Sequence, residues 1–382
     1  MAMVLTNDKQ TIIYSPHIRT FVQFHRLMGV QLSSIQWYDW RSLFTLLFNL
    51  LLNGFIIYGI YIESNEKHVN VNKSIYLYEH FLQASISVFY PLCYISSIFC
   101  YFLYGHHIIM LLDSPVFIAI NQNCQSNQRK FLLITIFVII KLIWDHRYIV
   151  HHFVNIQNLK TKEIIIICSI YLFDTLQMIN WYILFYHQLI NYFSLRQIHG
   201  QLSTTNKSSS IRKTGNNFSI EKRLFNSIKN LSVHNRHIQY YLSYLLFGIL
   251  IEQTNSIIHF LTFFIVDPRR TSIGLSNIIA QTLRNCLCFF LVQLNQRNIC
   301  LFDQIDRHFR SKCIANHHHH HHRDNSITTL RYSKYNQLQI YRQYHQLSVF
   351  QWLNIDSSVL VQLFFFSLSY VLIISQTTKL ID

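Results

Sequence analysis

The chain has 382 residues, 51% of them apolar and only 13% charged, whereas soluble globular proteins carry about 25% charged residues; this speaks against a soluble enzyme of two or three domains. Mean hydropathy is +0.19, and the apolar residues gather into windows of about 20, the length of a helix that crosses a bilayer. The net charge of +15 would suggest nucleic acid in a soluble protein, but in a multi-spanning membrane protein its division between loops decides more than its sum.

Residues 1–42 are predicted to form a cytoplasmic N-terminal segment. They carry Asp8, Lys9, Arg19, Arg26 and Asp39 without a continuous apolar core and cleavage site, so no signal peptide is expected. Windows at about 43–62, 81–104, 131–150 and 164–190 then read as spans one to four, filling residues 43–190. The third is the most polar, with Lys141 inside it and Asp145, His146 and Arg147 at its end. Eight Gly and four Pro against 30 Phe and 23 Tyr imply long, bulky helices with aromatic anchors.

Residues 191–239 are predicted as a cytoplasmic loop with helix extensions. The stretch 203–219 is polar, basic and aperiodic and reads as a mobile loop, whereas Leu224, Ile228, Leu231 and Ile238 recur at helical spacing and extend the fifth span into the cytosol. Spans five and six, at about 240–266 and 273–294, fill residues 240–294. Residues 295–356 form a second inner segment in which Leu330, Leu338, Tyr341 and Leu347 suggest a helix before the last span, at about 357–376 within residues 357–382. The expected fold is therefore all-α, with seven transmembrane helices.

Seven spans put the termini on opposite sides. With the N-terminus cytoplasmic and the C-terminus extracellular, the inner segments hold 22 Lys and Arg and the outer ones 8, which satisfies the positive-inside rule. None of the eight cysteines falls in an outer loop, so no extracellular disulfide framework is expected.

Polar side chains inside spans are costly in hydrocarbon and face the bundle interior or a water-filled cavity. Asp174, Gln177 and Asn180 share one helix face, as do Glu252, Asn255 and His259 on the fifth span and Gln281 with Arg284 on the sixth. They read either as polar glue or as a ligand pocket in the outer half, where Trp144, Tyr171, Asp174, Asn255, His259, Asn277 and Gln281 would gather around a small organic molecule.

Two other constellations point elsewhere. His146, His151 and His152 have the spacing of one histidine box of a membrane di-iron enzyme, but no second box accompanies them and they are predicted outside; no metal, cofactor or enzymatic activity is expected. The run His317–His322 fits a low-complexity insertion or an internal tag better than a metal site. Asp145-His146-Arg147-Tyr148 approximates the triplet of G-protein-coupled receptors with one residue inserted, and that class would need the orientation reversed. A G-protein-coupled receptor and a transporter are the alternatives; no internal repeat supports the transporter.

The last span ends Ser369-Tyr370-Val371-Leu372-Ile373-Ile374-Ser375-Gln376-Thr377. Gln362, Ser369, Ile373, Gln376 and Thr377 lie along one stripe and could line a narrow pore if several copies met at an axis, apolar groups gating by dewetting and amides facing the permeating ion. This segment resembles the C-terminal signature of the insect gustatory receptor family, related to the odorant receptors: Thr-Tyr, five mostly apolar residues, then Gln-Phe. Phe350-Gln351-Trp352-Leu353-Asn354-Ile355-Asp356 looks like the family's approach to the last span. The resemblance implies a ligand-gated, non-selective cation channel that responds to tastants, in the plasma membrane among lipid. It further implies a homo- or hetero-tetramer with Ser369, Tyr370, Ile373, Gln376 and Thr377 at the pore and gate, and no nucleic-acid partner. Thr377 departs from the family's Phe, and a leakier constriction is expected there.

Overall fold

The computed structural model describes residues 40–69, 160–208, 214–265, 275–319, 336–349 and 352–381, with helical positions at 133, 136, 137, 139–141 and 143. The elements are α1 (Trp40–Val69), α2 (Thr161–Ser208), α3 (Thr214–Ile265), α4 (Leu275–His319), a short helix α5 over 336–345, strands β1 (Ser348–Val349) and β2 (Leu353–Asn354), and α6 (Ser357–Ile381). Helices α2, α3 and α4 have 48, 52 and 45 residues, so at 1.5 Å per residue each runs ~70 Å, more than twice the hydrocarbon thickness of a bilayer.

The described part is thus nearly all helical, as the sequence predicts. The apolar windows at 43–62, 164–190, 240–266, 273–294 and 357–376 fall on α1, α2, α3, α4 and α6. Among the described residues, however, no helix is long and apolar enough to cross a membrane. Buried amides such as Asn53, Gln188, Gln239 and Gln253 punctuate these helices. The window at 81–104 and most of 131–150 lie outside the described residues.

Two local readings change. The polar stretch 203–219 is helical to Ser208 and again from Thr214, although its composition suggested an aperiodic loop. Extending an existing helix fixes one residue per hydrogen bond gained, whereas starting one fixes several. The hydroxyls of Ser203 and Thr204 fold back on the carbonyls of Gly200 and Gln201, each at 2.9 Å, so they do not break the helix. The second change is the antiparallel pair β1–β2, with Ser348 opposite Asn354 and Val349 opposite Leu353. The Ile355 amide donates to the Leu347 carbonyl at 2.9 Å, closing the loop. A strand pair this short has too few alternating residues to register as a sequence period.

Helix α2 is the central pillar: all ten residues from Trp181 to Ile190 are buried, as expected of a helix enclosed on every side. It packs against α1, α3 and α4. Trp181 stacks on Phe185 and Tyr182 on Tyr186, one turn apart, with centroids 6.1 and 5.9 Å apart. One core cluster joins Leu195 and Ile198 of α2, Leu224 and Ile228 of α3, Phe302 and Ile305 of α4, and Leu338 of α5. A smaller one sets Val371 of α6 against Ile257, Ile258 and Leu261 of α3. Each such side chain contributes about 1.5–3 kcal/mol on burial.

Helices α1 and α2 cross at Gly59, where a methyl group would lie 2.0 Å from Ser169 Oγ and 2.3 Å from its Cβ. Ser169 is fully buried and donates to the Ile165 carbonyl at 2.8 Å. Gly59→Ala is expected to force the two helices apart and cost about 1–3 kcal/mol, read as a lower thermal midpoint. The double variant with Ser169→Gly should recover most of the loss.

Candidate functional site

The last helix has a capped start. Asp356 Oδ1 accepts from the amides of Ser358 (2.9 Å) and Val359 (3.2 Å) and from the Ser358 hydroxyl (2.6 Å), an N-cap that satisfies amides with no partner inside the helix. The Ser358 hydrogen bond leads the effects that hold this carboxyl below its ordinary range. Asp356→Ala should destabilise the start of α6 by about 1 kcal/mol, seen as faster amide exchange over its first turn, with Asp356→Asn retaining most of the cap.

Along α6, Val359, Ser367 and Val371 are buried, with Leu363, Leu368 and Tyr370 half-buried against α3. The opposite face carries Gln362, Ser369, Ile373 and Gln376, all exposed, with Ile373 at 58%. The described members of the stripe expected to line a pore are therefore exposed, whereas Tyr370, which the family resemblance put at the gate, turns toward α3. Thr377 lies on the helix, but its side chain is outside the described residues. Val361, Phe365 and Phe366 extend the exposed surface with large apolar groups.

The residues expected around an outer ligand are resolved only in part. Tyr171 is half-buried on α2, and its carbonyl accepts from the Thr175 hydroxyl at 2.8 Å. Asp174 lies on α2, Asn255 and His259 on α3, and Asn277 and Gln281 on α4; their side chains and all of Trp144 lie outside the described residues. The same is true of His146, His151 and His152. Two residues before Asn255, Gln253 of α3 donates to Asn285 of α4, four residues after Gln281, a polar clasp between these helices.

Near the middle of the long helices the structure assembles a buried polar hub that the sequence reading did not single out. His345, the last residue of α5, is 1% exposed. Its Nδ1 lies 2.8 Å from Asn191 Oδ1 of α2, and its Nε2 lies 2.9 Å from Ser232 Oγ of α3. Asn235 donates to Asn191 Oδ1 at 3.1 Å. Ser232 Oγ also donates to the Ile228 carbonyl at 2.8 Å, and Asn235 Nδ2 lies 3.1 Å from Nδ1, so both ring nitrogens have a hydrogen-bond partner in either neutral tautomer. The Phe302 ring of α4 packs 4.7 Å from the imidazole, centroid to centroid. Burial pushes the imidazole down to about 3, because no opposite charge offsets the loss of water.

Amides of α4 and α3 continue the hub. Asn295 accepts from the Leu347 amide (2.8 Å) and donates to the Ile355 carbonyl (2.6 Å), holding both ends of the β1–β2 loop. Asn298 donates to Gln188 Oε1 of α2 at 2.7 Å. Gln239 and Ser243 of α3 donate to the hydroxyl and carbonyl of Ser348, respectively. Farther out, Arg342 makes a two-pronged contact with Asp303 (2.7 and 3.2 Å), a hydrogen bond that raises its already high pKa, and Gln339 donates to Asp306 at 3.0 Å. The run into α6 is thus clamped to three long helices by polar groups. A sequence signal was present: Ser232, Asn235, Gln239 and Ser243 fall at steps of three, four and four, one face of α3.

The arrangement of these helices matches a solved architecture. The structure of the insect olfactory receptor OR5 from Machilis hrabei in complex with eugenol aligns with a TM-score of 0.56 over 94% of this chain and 97% of that chain, at 10% sequence identity. The chain has the fold of an insect olfactory receptor. No protein-family model matches the sequence, and no curated protein does. The likeness therefore lies in how the helices pack.

Proposed function

We propose that the protein is a multi-pass plasma-membrane chemoreceptor of the insect gustatory and olfactory type, a ligand-gated, non-selective cation channel and not an enzyme. The observation that carries this reading is the uncovered Gln362, Ser369, Ile373 and Gln376 stripe of α6, on a fold shared with an insect olfactory receptor over nearly its whole length. A helix face with two amides, a hydroxyl and an apolar ring position suits a pore shared by several copies, in a homo- or hetero-tetramer surrounded by lipid. The Ser369-Tyr370 to Gln376 motif favours the gustatory branch, with a tastant as ligand in the outer half near Tyr171, Asp174 and Asn255. The solved olfactory receptor is described with a small organic molecule, eugenol, and a small-molecule ligand is proposed here by analogy.

The first test is antibody access to tags on each terminus in intact cells. Exposure of the C-terminal tag alone supports seven spans with the N-terminus inside, while the opposite pattern returns the chain to the G-protein-coupled class. Current recording with a tastant panel follows. Thr377→Phe, which narrows the constriction with an apolar ring, is expected to lower basal leak several-fold; an unchanged leak removes Thr377 from the gate.

A further inference from the structure

Four of the apolar windows end side by side. The window at 164–190 stops just before Asn191 of α2, which accepts from Asn235 of α3, shortly before the window at 240–266. The window at 273–294 stops just before Asn295 of α4, which holds Leu347 and Ile355 at the approach to the window at 357–376. Asn298 of α4 is in turn tied to Gln188 of α2. These hydrogen bonds set the four ends at one level of the bundle, that of the His345 hub. On the multi-pass reading proposed above, on which this inference rests, the cytoplasmic surface of the bilayer crosses the helices at that level. Exposed side chains change character across it: Phe247, Phe289 and Phe365 lie on one side, Arg196, Lys229 and Arg307 on the other.

Three exposed side chains belong to the level itself. Arg236 follows Asn235 on α3, and Arg297 precedes Asn298 on α4. Arg236 is steadied over the Tyr344 ring, 5.7 Å from its centroid, a contact that leaves the N–H groups at the guanidinium edge for an anion. Trp352 is 92% exposed, and its amide donates to the Val349 carbonyl at 2.9 Å, closing the turn between β1 and β2. An indole wholly in water forfeits its apolar area, whereas at headgroup depth the ring meets acyl chain and the N–H stays wet. The carboxylates of this region are engaged: Asp303 with Arg342, Asp306 with Arg310 and Asp356 with the first amides of α6. Among the described residues no carboxylate pairs with Arg236 or Arg297.

We propose that Arg236 and Arg297, at the depth marked by Trp352, form a belt that binds anionic phospholipid of the cytoplasmic leaflet, each guanidinium taking a lipid phosphate. A zwitterionic headgroup brings its own cation, so two uncompensated guanidinium groups favour a lipid of net negative charge. Bound lipid also braces the run into α6, because Arg236 bears on Tyr344 and Trp352 belongs to the β1–β2 turn.

The full chain in neutral detergent micelles is mixed with equal amounts of phosphatidylcholine and phosphatidylserine and repurified, and the retained lipids are counted by mass spectrometry. The parent is expected to keep phosphatidylserine in excess. In Arg236→Gln with Arg297→Gln that excess should fall about fivefold or more, while the matching Lys pair keeps most of it. Arg196→Gln with Arg307→Gln removes the same charge about 12 Å farther along the helices, more than a Debye length of about 8 Å, and should leave the excess in place. A thermal melt of each variant separates loss of the belt from loss of fold. Equal retention of the two lipids by the parent overturns the proposal, as does an equal fall in both Gln pairs, which assigns the preference to net charge. Flotation after reconstitution into vesicles of the same two lipids separates this proposal from the one it rests on. A chain that floats without a phosphatidylserine excess overturns the belt alone; one that does not float overturns the membrane reading and the belt with it.

Discussion

Replacing His345 by Ala is expected to remove most of the folded protein from detergent extracts. The change strips partners from Ser232 and Asn191 and leaves a void beside Phe302, all inside a fully buried hub. Ser232 keeps the Ile228 carbonyl and Asn191 keeps Asn235, so the lost hydrogen bonds cost about 1 kcal/mol each and the void adds to them; a loss of about 2–4 kcal/mol consumes a large part of a typical stability. The same residue makes the fold acid-sensitive. Its pKa is about 3 in the fold against an ordinary 6.5, so the unfolded chain binds more protons between these values and stability rises with pH there. The contribution is complete above pH 6.5 and is lost on acidification toward pH 3, at about 1.4 kcal/mol per unit, or about 2 kcal/mol by pH 5. Thermal midpoints measured from pH 7.5 to 5 should fall accordingly. His345→Gln, which keeps a neutral donor and acceptor, should flatten that slope even where its midpoint at pH 7.5 is lower; an unchanged slope would assign the acid sensitivity to other groups.

Ile373→Ser is expected to raise basal current in cells expressing the protein while leaving its abundance unchanged, if the proposed pore lies along α6. Ile373 is 58% exposed on the bare face of α6, so its truncation opens no cavity and should shift stability within about 0.5 kcal/mol. If copies of α6 meet at an axis, the apolar ring at this depth excludes water when closed, and a ring of hydroxyls would wet it. Lowering that barrier by about 1.4 kcal/mol multiplies the conducting fraction about tenfold. Val371→Ser supplies the contrast: Val371 is 1% exposed and packed on Ile257, Ile258 and Leu261, so the same change one half-turn away should reduce abundance instead. Equal effects at both positions would argue against a pore along this face.

The parts of the molecule legible in sequence are those written in one helix at a time. The apolar windows at 43–62 and 357–376 fall on α1 and α6, and Ser369, Ile373 and Gln376, grouped on one face by their spacing, are all exposed on α6. The repeat of Leu224, Ile228 and Leu231 marked the face of α3 that packs on α2 and α4. What was missed depends on pairs of distant residues. Asn191 and His345 are 154 positions apart, and nothing near His345 distinguishes it from the exposed polar residues of α5. The amides of α3 and α4 do fall at helical spacing, but spacing says that they share a face, not what that face meets. The short β1–β2 pair was invisible for the same reason, since its register is set by Asn295 holding Leu347 and Ile355 from another helix.

That separation has a temporal side. Helices α2 and α3 leave the ribosome with Asn191, Ser232, Asn235 and Gln239 already aligned, but their partners His345 and Ser348 follow more than a hundred residues later. At a synthesis rate of about 5–20 residues per second, the nascent bundle waits about 5–30 s with an unclosed polar seam. During that interval a holding chaperone has the most to grip, and truncation anywhere before α5 leaves the seam without its closing partners.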